Sequence, residues 1–158
     1  MHLLAIAIML AGFGYKIAAA PFHMWAPDVY EGSPTPVTAF FSVAPKAAGF
    51  AILVRVFATW FADSGDLGLF GEKVAQIIGL MAIATMIIGN LGAIFQQNIK
   101  RFLAYSSIAH AGYLLMGVAL LPSLSTSAKA ADGIRAILIY LVFYVFMNLG
   151  AFWIGALV

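Results

Sequence analysis

The sequence predicts an all-α fold: a polytopic membrane helix bundle of about five transmembrane helices, forming one domain over residues 1–158. Three observations carry that prediction. Hydrophobic residues make up 64% of the chain and charged residues 9%, against about 25% charged in an ordinary soluble domain. Mean hydropathy is +1.02. The runs Val74–Phe95 and Ala136–Val158 carry no charge, and Phe102–Pro122 carries only His110. A helix needs about 20 mainly apolar residues to cross the hydrocarbon core.

The first span, Leu3 to about Tyr30, is longer than one straight crossing requires. Pro21 lies in its middle, removes a backbone donor and obstructs the carbonyl of Ile17, four residues back. One broken helix is expected, with the break between about Lys16 and Pro21. The second span, Pro36–Ala62, contains Lys46 and Arg55, and Arg55 is near enough to its end to reach the interface. The remaining spans are about 74–95, 102–122 and 134–158, the last built around the charge-free run. Glu31–Thr35, Asp63–Gly71, Gln96–Arg101 and Ser123–Asp132 connect them. Counting crossings places the first and third connections on one side, which Lys100 and Arg101 favour as cytoplasmic, while Lys73 and Lys129 pull the other way. The chain stops at Leu157-Val158, within or at the end of an apolar span, and is expected to be a piece of a longer protein.

Several classes of function are excluded. There is no cysteine, so no disulfide, thiolate metal site or iron–sulfur ligation is expected. The three histidines lack metal-ligand spacing, so no metal is assigned. A net charge of +2, spread along the chain, points to no nucleic-acid partner. No glycine-rich phosphate loop and no nucleophile triad can be assembled. Met1–Gly14 runs on into further apolar sequence and is not expected to be a cleavable signal.

Two lysines are out of place in such a chain. Lys16 has no other charged residue from Met1 to Met24, and Lys46 none from Val37 to Val54. An ammonium at bilayer depth costs about 2.5–3.5 kcal/mol on insertion scales, and intramembrane ionisable residues mark ion and proton pathways. Beside the break, Lys16 could find water and carbonyl oxygens, because irregular backbone at that depth is buried or lines a wet cavity. Broken helices near the midplane recur in ion transporters. The competing reading has Lys16 extending to the interface from a shorter helix end, with Pro21 opening an interfacial helix.

Lys46 sits about ten residues into its span. Pro45 denies the Phe41 carbonyl its usual donor and is expected to open the helix there. Ser42 and Gly49 fall on the same face. Lysine, unlike arginine, can release its proton inside a protein, and proton transfer is favoured here over a structural ion pair. No carboxylate lies within the spans, so a pairing partner would be a loop acid or lie outside the chain. His110, with Ser106, Ser107 and Tyr113 at i−4, i−3 and i+3, forms a polar stripe suited to a water wire, or else a histidine satisfied by a neighbouring hydroxyl. Asn90 and Asn148 are expected to join helices by hydrogen bonds. His23, Trp25, Asp28 and Tyr30 suit an interfacial aromatic belt.

The stretch from Gly12-Phe-Gly-Tyr-Lys-Ile-Ala-Ala-Ala-Pro21 through Pro27-Asp-Val-Tyr-Glu-Gly-Ser-Pro-Thr-Pro-Val37 to Lys46 resembles the antiporter-like membrane subunits of respiratory complex I. The wording of residues 27–37 is similar to the subunit-N branch of NADH-quinone oxidoreductase. Asn98-Ile-Lys-Arg-Phe-Leu-Ala-Tyr-Ser-Ser-Ile-Ala-His-Ala-Gly-Tyr113 resembles a later loop and helix of the same family. The resemblance places the chain at about helices seven to eleven. It implies that Lys16 is the lysine of the broken seventh helix, that Lys46 is the eighth-helix lysine linking along the membrane arm, and that His110 is a relay in the tenth. Pro21, Pro45, Ser106, Ser107 and Tyr113 support them.

The family's pathway also needs a glutamate in the fifth helix and a lysine in the twelfth. Neither is among these residues, so this piece alone is not expected to complete a path. By the same resemblance the chain is a non-redox, proton-translocating subunit of an NADH dehydrogenase in the respiratory chain. It would bind no cofactor itself, with NADH, flavin, iron–sulfur clusters and quinone handled elsewhere in the parent complex. Its partners would be other membrane-arm subunits and lipids, and its location the bacterial inner membrane or the mitochondrial inner membrane. The alternatives are a subunit of a multisubunit sodium/proton antiporter, which gene neighbours would separate, and a structural anchor whose lysines only pair with adjacent subunits.

Overall fold

The structure is a computed structural model and describes residues 2–63, 68–121 and 127–157. The described helices are α1 (His2–Ile17), α2 (Trp25–Gly32), α3 (Thr35–Asp63), α4 (Gly68–Ile94), α5 (Ile99–Leu120) and α6 (Ser127–Gly155). α3 to α6 are each long and apolar enough to cross a membrane, over Thr35–Thr59, Gly71–Ile94, Ile99–Leu120 and Ala131–Gly155. α1 contributes a shorter apolar stretch, Leu4–Ile17. The first predicted span is therefore two helices joined by a turn.

That break is wider than the sequence predicts. Helix ends at Ile17 and resumes only at Trp25, so it runs past Pro21 to Met24. Its start is set at Ala18, whose φ of 57° is in the left-handed region. Ala19 N–H bonds the Gly14 carbonyl at 2.8 Å and Ala18 N–H the Tyr15 carbonyl at 3.2 Å, the paired bonds of a Schellman stop. Glycine usually fills this position, but here the alanine methyl is fully buried against a cluster containing Ala26, Tyr30, Ala104 and Ile108. Further along the turn, Ala20 N–H finds no helical acceptor and donates to Thr85 Oγ1 on α4 at 2.9 Å. The Thr85 hydroxyl in turn donates to the Met81 carbonyl at 2.5 Å.

Thr85→Val is therefore expected to strand a buried amide, at about 1–3 kcal/mol. The full-length subunit should then unfold at lower detergent denaturant, while Thr85→Ser should stay near the parent. An unchanged midpoint for Thr85→Val would show that the turn does not depend on this bond.

Pro45 does not open α3, which stays helical from Thr35 to Asp63. A proline removes one internal bond, and the surrounding turns carry the helix across. Two predicted loops shorten because α4 begins at Gly68 and α6 at Ser127; residues 64–67 and 123–126 of these loops, and Pro122 at the end of the predicted fourth span, lie outside the described residues. Between α2 and α3 the connection is Ser33-Pro34, with Ser33 extended at φ −86° and ψ 150°, as a residue before proline must be. Asn98 caps α5 by accepting the Lys100 N–H at 2.9 Å, one of the orphan donors of a helix start.

α5 is the hub, packed on α2, α3, α4 and α6. Its tightest neighbour is α4, where small residues let the backbones meet. A methyl at Gly89 would lie 2.5 Å from Ala109 N, and one at Gly92 2.5 Å from the Tyr105 ring. On α6, Ile137, Leu141, Tyr144, Asn148 and Phe152 form the buried stripe, while Val142, Phe143 and Phe146 face outward. At one end of the bundle Arg101 Nη1 bridges Asp28 at 2.9 Å and Glu31 at 2.7 Å, and Lys100 Nζ donates to the Ser33 carbonyl at 2.9 Å. These contacts bring the Glu31–Thr35 and Gln96–Arg101 connections to the same side, as the crossing count predicts. The Arg101 hydrogen bond holds the Glu31 carboxyl below the usual carboxylate range. Both acids near α2 are thus committed to Arg101 and are not counter-ions for Lys46.

Candidate intramembrane lysine site

Lys46 is 3% exposed, close to the middle of α3. Its ammonium crosses to α5 and donates to the Ser107 carbonyl at 2.5 Å and to the Ser107 hydroxyl. No described carboxylate pairs with it. Three donors meet two neutral oxygens of one residue, so among the described residues the ammonium is held by neutral hydrogen-bond acceptors. Breaking a buried charge's contacts is costly, which makes Ser107 the anchor of the site.

Ser107 is itself enclosed. It is 1% exposed, and the Tyr30 hydroxyl lies 3.3 Å from its Oγ. Tyr30, 1% exposed, is thus inside the bundle and not in the interfacial belt the sequence suggests. A tyrosine near a predicted interface looks like a belt residue until the seven-residue turn before α2 is known to aim it inward. On the other side, the Tyr144 hydroxyl donates to the Ser42 carbonyl at 3.1 Å, one helical turn before Lys46. The Ser42 hydroxyl turns back to the Ala39 carbonyl at 2.7 Å.

His110 is half-buried one turn along α5. Its Nδ1 and the Tyr140 hydroxyl are 2.5 Å apart. The rings of Tyr113, Tyr140 and Tyr144 surround it at centroid distances of 5.5, 6.0 and 5.4 Å. The predicted polar stripe on α5 therefore divides. Ser107 turns to Lys46, His110 turns to the tyrosines of α6, Tyr113 packs edge-on to the His110 ring with its hydroxyl toward α4, and Ser106 takes part in neither pair. The histidine does meet a neighbouring hydroxyl, and it is that of Tyr140 on α6. Tyr140 and Tyr144 escaped the sequence reading because they sit four apart in a run that looks uniformly apolar.

Lys16 is exposed on this chain and does not join Lys46 by a hydrogen bond. The two regions touch through Gly49, where a methyl would lie 2.8 Å from Ile17 Cγ2 and 3.6 Å from Lys16 Cγ. Gly49 is thus the seat of the α1 terminus. Gly12, Tyr15, Lys16, Trp25, Val29 and Pro45 line a groove of about 470 Å³. Lys16 also lies in the last turn of α1, where a cation complements the helix dipole. Pro21 is exposed in the turn, and Pro45 lines the Lys16 groove. Asn90 does join helices, donating to the Tyr113 hydroxyl at 3.3 Å, whereas Asn148 Nδ2 has no partner among the described residues.

The chain is 57% identical over 152 residues to NADH-quinone oxidoreductase subunit N 2 of Sorangium cellulosum, covering 94% of this chain and 28% of that protein. It is 51% identical over 160 residues to NADH-quinone oxidoreductase subunit N of an Anaeromyxobacter species, covering 98% and 29%. Among solved structures, a chain of the Mrp complex from a Dietzia species matches with a TM-score of 0.76 at 26% identity, over 95% of this chain and 25% of that one. The chain thus spans less than a third of the length of these relatives. Residues 1–158 match the family model described as NADH:quinone oxidoreductase/Mrp antiporter, transmembrane, and the chain belongs to that family as an integral, multi-pass membrane segment.

Proposed function

We propose that this segment forms the middle of a proton-translocation route in the membrane arm of an NADH:quinone oxidoreductase. It contributes no redox chemistry: NADH, flavin, iron–sulfur clusters and quinone belong to partner subunits of the same complex. The observation that carries this reading is Lys46, buried at mid-span and held by the two oxygens of Ser107, with no carboxylate paired to it among the described residues. An amine so placed can give up a proton and take it back without breaking an ion pair. His110, hydrogen-bonded to Tyr140 and one turn after Ser107, is the next site along α5. Lys16, in its groove at the helix break, is the preceding site, open to a group from outside the chain.

Identities near 50% to subunit-N relatives favour this reading over a sodium/proton antiporter subunit, whose solved likeness is 26% identical. The bacterial inner membrane is the corresponding location. Lys46→Met in the full-length subunit, within the assembled complex, tests the proposal. Proton pumping should fall by roughly 10²-fold, the lower range for a positioned proton-transfer group. Quinone reduction is measured beside it. Normal pumping in an assembled Lys46→Met complex would reject proton transfer at Lys46 and leave the lysine as a packing element.

A further inference from the structure

α2 touches both lysine regions. At its first residue, Trp25 Nε1 donates to the Tyr15 carbonyl at 3.0 Å, and the two rings lie 5.5 Å apart. Tyr15 precedes Lys16, and Tyr15, Lys16 and Trp25 line one groove. Near the other end of α2, the Tyr30 hydroxyl meets Ser107 Oγ at 3.3 Å, the same oxygen that accepts from Lys46. The Tyr30 ring stands edge-on to Phe152 at 6.2 Å, and its carbonyl accepts the Thr38 hydroxyl of α3 at 3.3 Å. Eight residues of helix are about 12 Å long, short enough to move as one rigid piece.

We propose that Trp25 and Tyr30 are positioning residues through which α2 transmits the placement of the α1 turn at Lys16 to the Ser107 hydroxyl that holds Lys46. Ser107 Oγ has one hydrogen and two lone pairs. With Tyr30 beside it, its orientation toward Lys46 is restricted; with Tyr30 withdrawn, the hydroxyl can rotate away and Lys46 keeps the carbonyl alone. A displacement of the α1 end pulls on Trp25 through the Tyr15 carbonyl and so reaches Tyr30 at the opposite end of the helix. The ion pairs of Asp28 and Glu31 with Arg101 tie the outer face of α2 to the start of α5, so the motion available is a tilt and not a release.

This link deepens the proton-transfer reading of Lys46, but it is tested on a readout that needs no transport. In the full-length subunit within the assembled complex, Lys46 is reductively methylated and its modification rate is followed by mass spectrometry against the exposed Lys73. Tyr30→Phe keeps the ring on Phe152 and removes the hydroxyl. Trp25→Phe keeps a ring against Tyr15 and removes the indole donor. Each should raise Lys46 methylation by about three- to tenfold, the equilibrium equivalent of one hydrogen bond. The double variant should match the larger single, because both act on one connection. An unchanged rate in either single variant, or a double effect equal to the product of the singles, would overturn the link. A Lys46→Met complex that pumps normally would reject the transport reading and leave the methylation result to decide the α2 link by itself.

Discussion

Lys46→Arg is expected to abolish most proton transfer even though it preserves the charge. A guanidinium stays protonated at any accessible pH and spreads its donors over a rigid planar fork. The Lys46 site is shaped for a point charge: one carbonyl and one hydroxyl of the same residue, Ser107, with the Tyr30 hydroxyl just beyond. Arginine would overfill a position that is 3% exposed and could not release a proton once seated. Pumping by the reconstituted complex should drop by roughly 10²-fold, the same range expected for removing the group outright. A pH-sensitive dye inside the vesicles reports it, with quinone reductase activity followed in parallel. Pumping at the parent stoichiometry in Lys46→Arg would mean that the residue supplies only a fixed positive charge, and proton transfer would have to bypass it.

Much of this architecture is legible in the sequence because lipid imposes a simple rule. Every backbone polar group at bilayer depth must be satisfied internally, so long charge-free runs become helices, as α4, α5 and α6 do. The same economy exposes the exceptions: Lys16, Lys46 and His110 stand out in apolar sequence, and a proline between two apolar runs marks the broken helix. What the sequence does not carry is rotation. In a soluble helix the polar face points to water and the period of the pattern gives the orientation. Here the lipid face and the core face are both apolar, so nothing in the run 136–158 distinguishes inward Tyr144 from outward Phe143.

The partners of each ionisable group were lost for that reason. Ser107, not Ser106, meets Lys46, and Tyr140 on α6 meets His110. These pairings depend on which side of α5 faces which neighbour. Thr85 illustrates the second obstacle. It answers an unpaired amide 65 residues earlier in the chain, and only the path of the turn after Ala18 brings the two together. Tyr30 combines both difficulties, since its inward aim depends on the turn and its partner on the rotation of α5.

Rotation of α5 is set largely by α4, and the largest structural effect is therefore expected at Gly89. A methyl there would stand 2.5 Å from Ala109 N, 2.8 Å from Ala109 Cα and 2.9 Å from Ala109 Cβ. Two of those three atoms are backbone, so no side chain can swing away, and α5 itself must shift. Overpacking of this kind typically costs about 1–3 kcal/mol, and Gly89→Leu should exceed what one methyl demands. Ala109 lies between Ser107 and His110, so moving α5 off α4 displaces both groups relative to α3 and α6. The full-length Gly89→Leu subunit is expected to accumulate poorly in the membrane, unfold at a lower detergent denaturant midpoint and lose the Ser107–Lys46 contact. Gly79, on the same helix with nothing within 4 Å of an added methyl, supplies the control. Gly79→Ala should leave stability unchanged or raise it by up to about 1 kcal/mol through helix propensity. A Gly89→Leu subunit as stable as Gly79→Ala would show that α4 and α5 do not meet at Gly89, and with that the orientation of Ser107 toward Lys46 would lose its support.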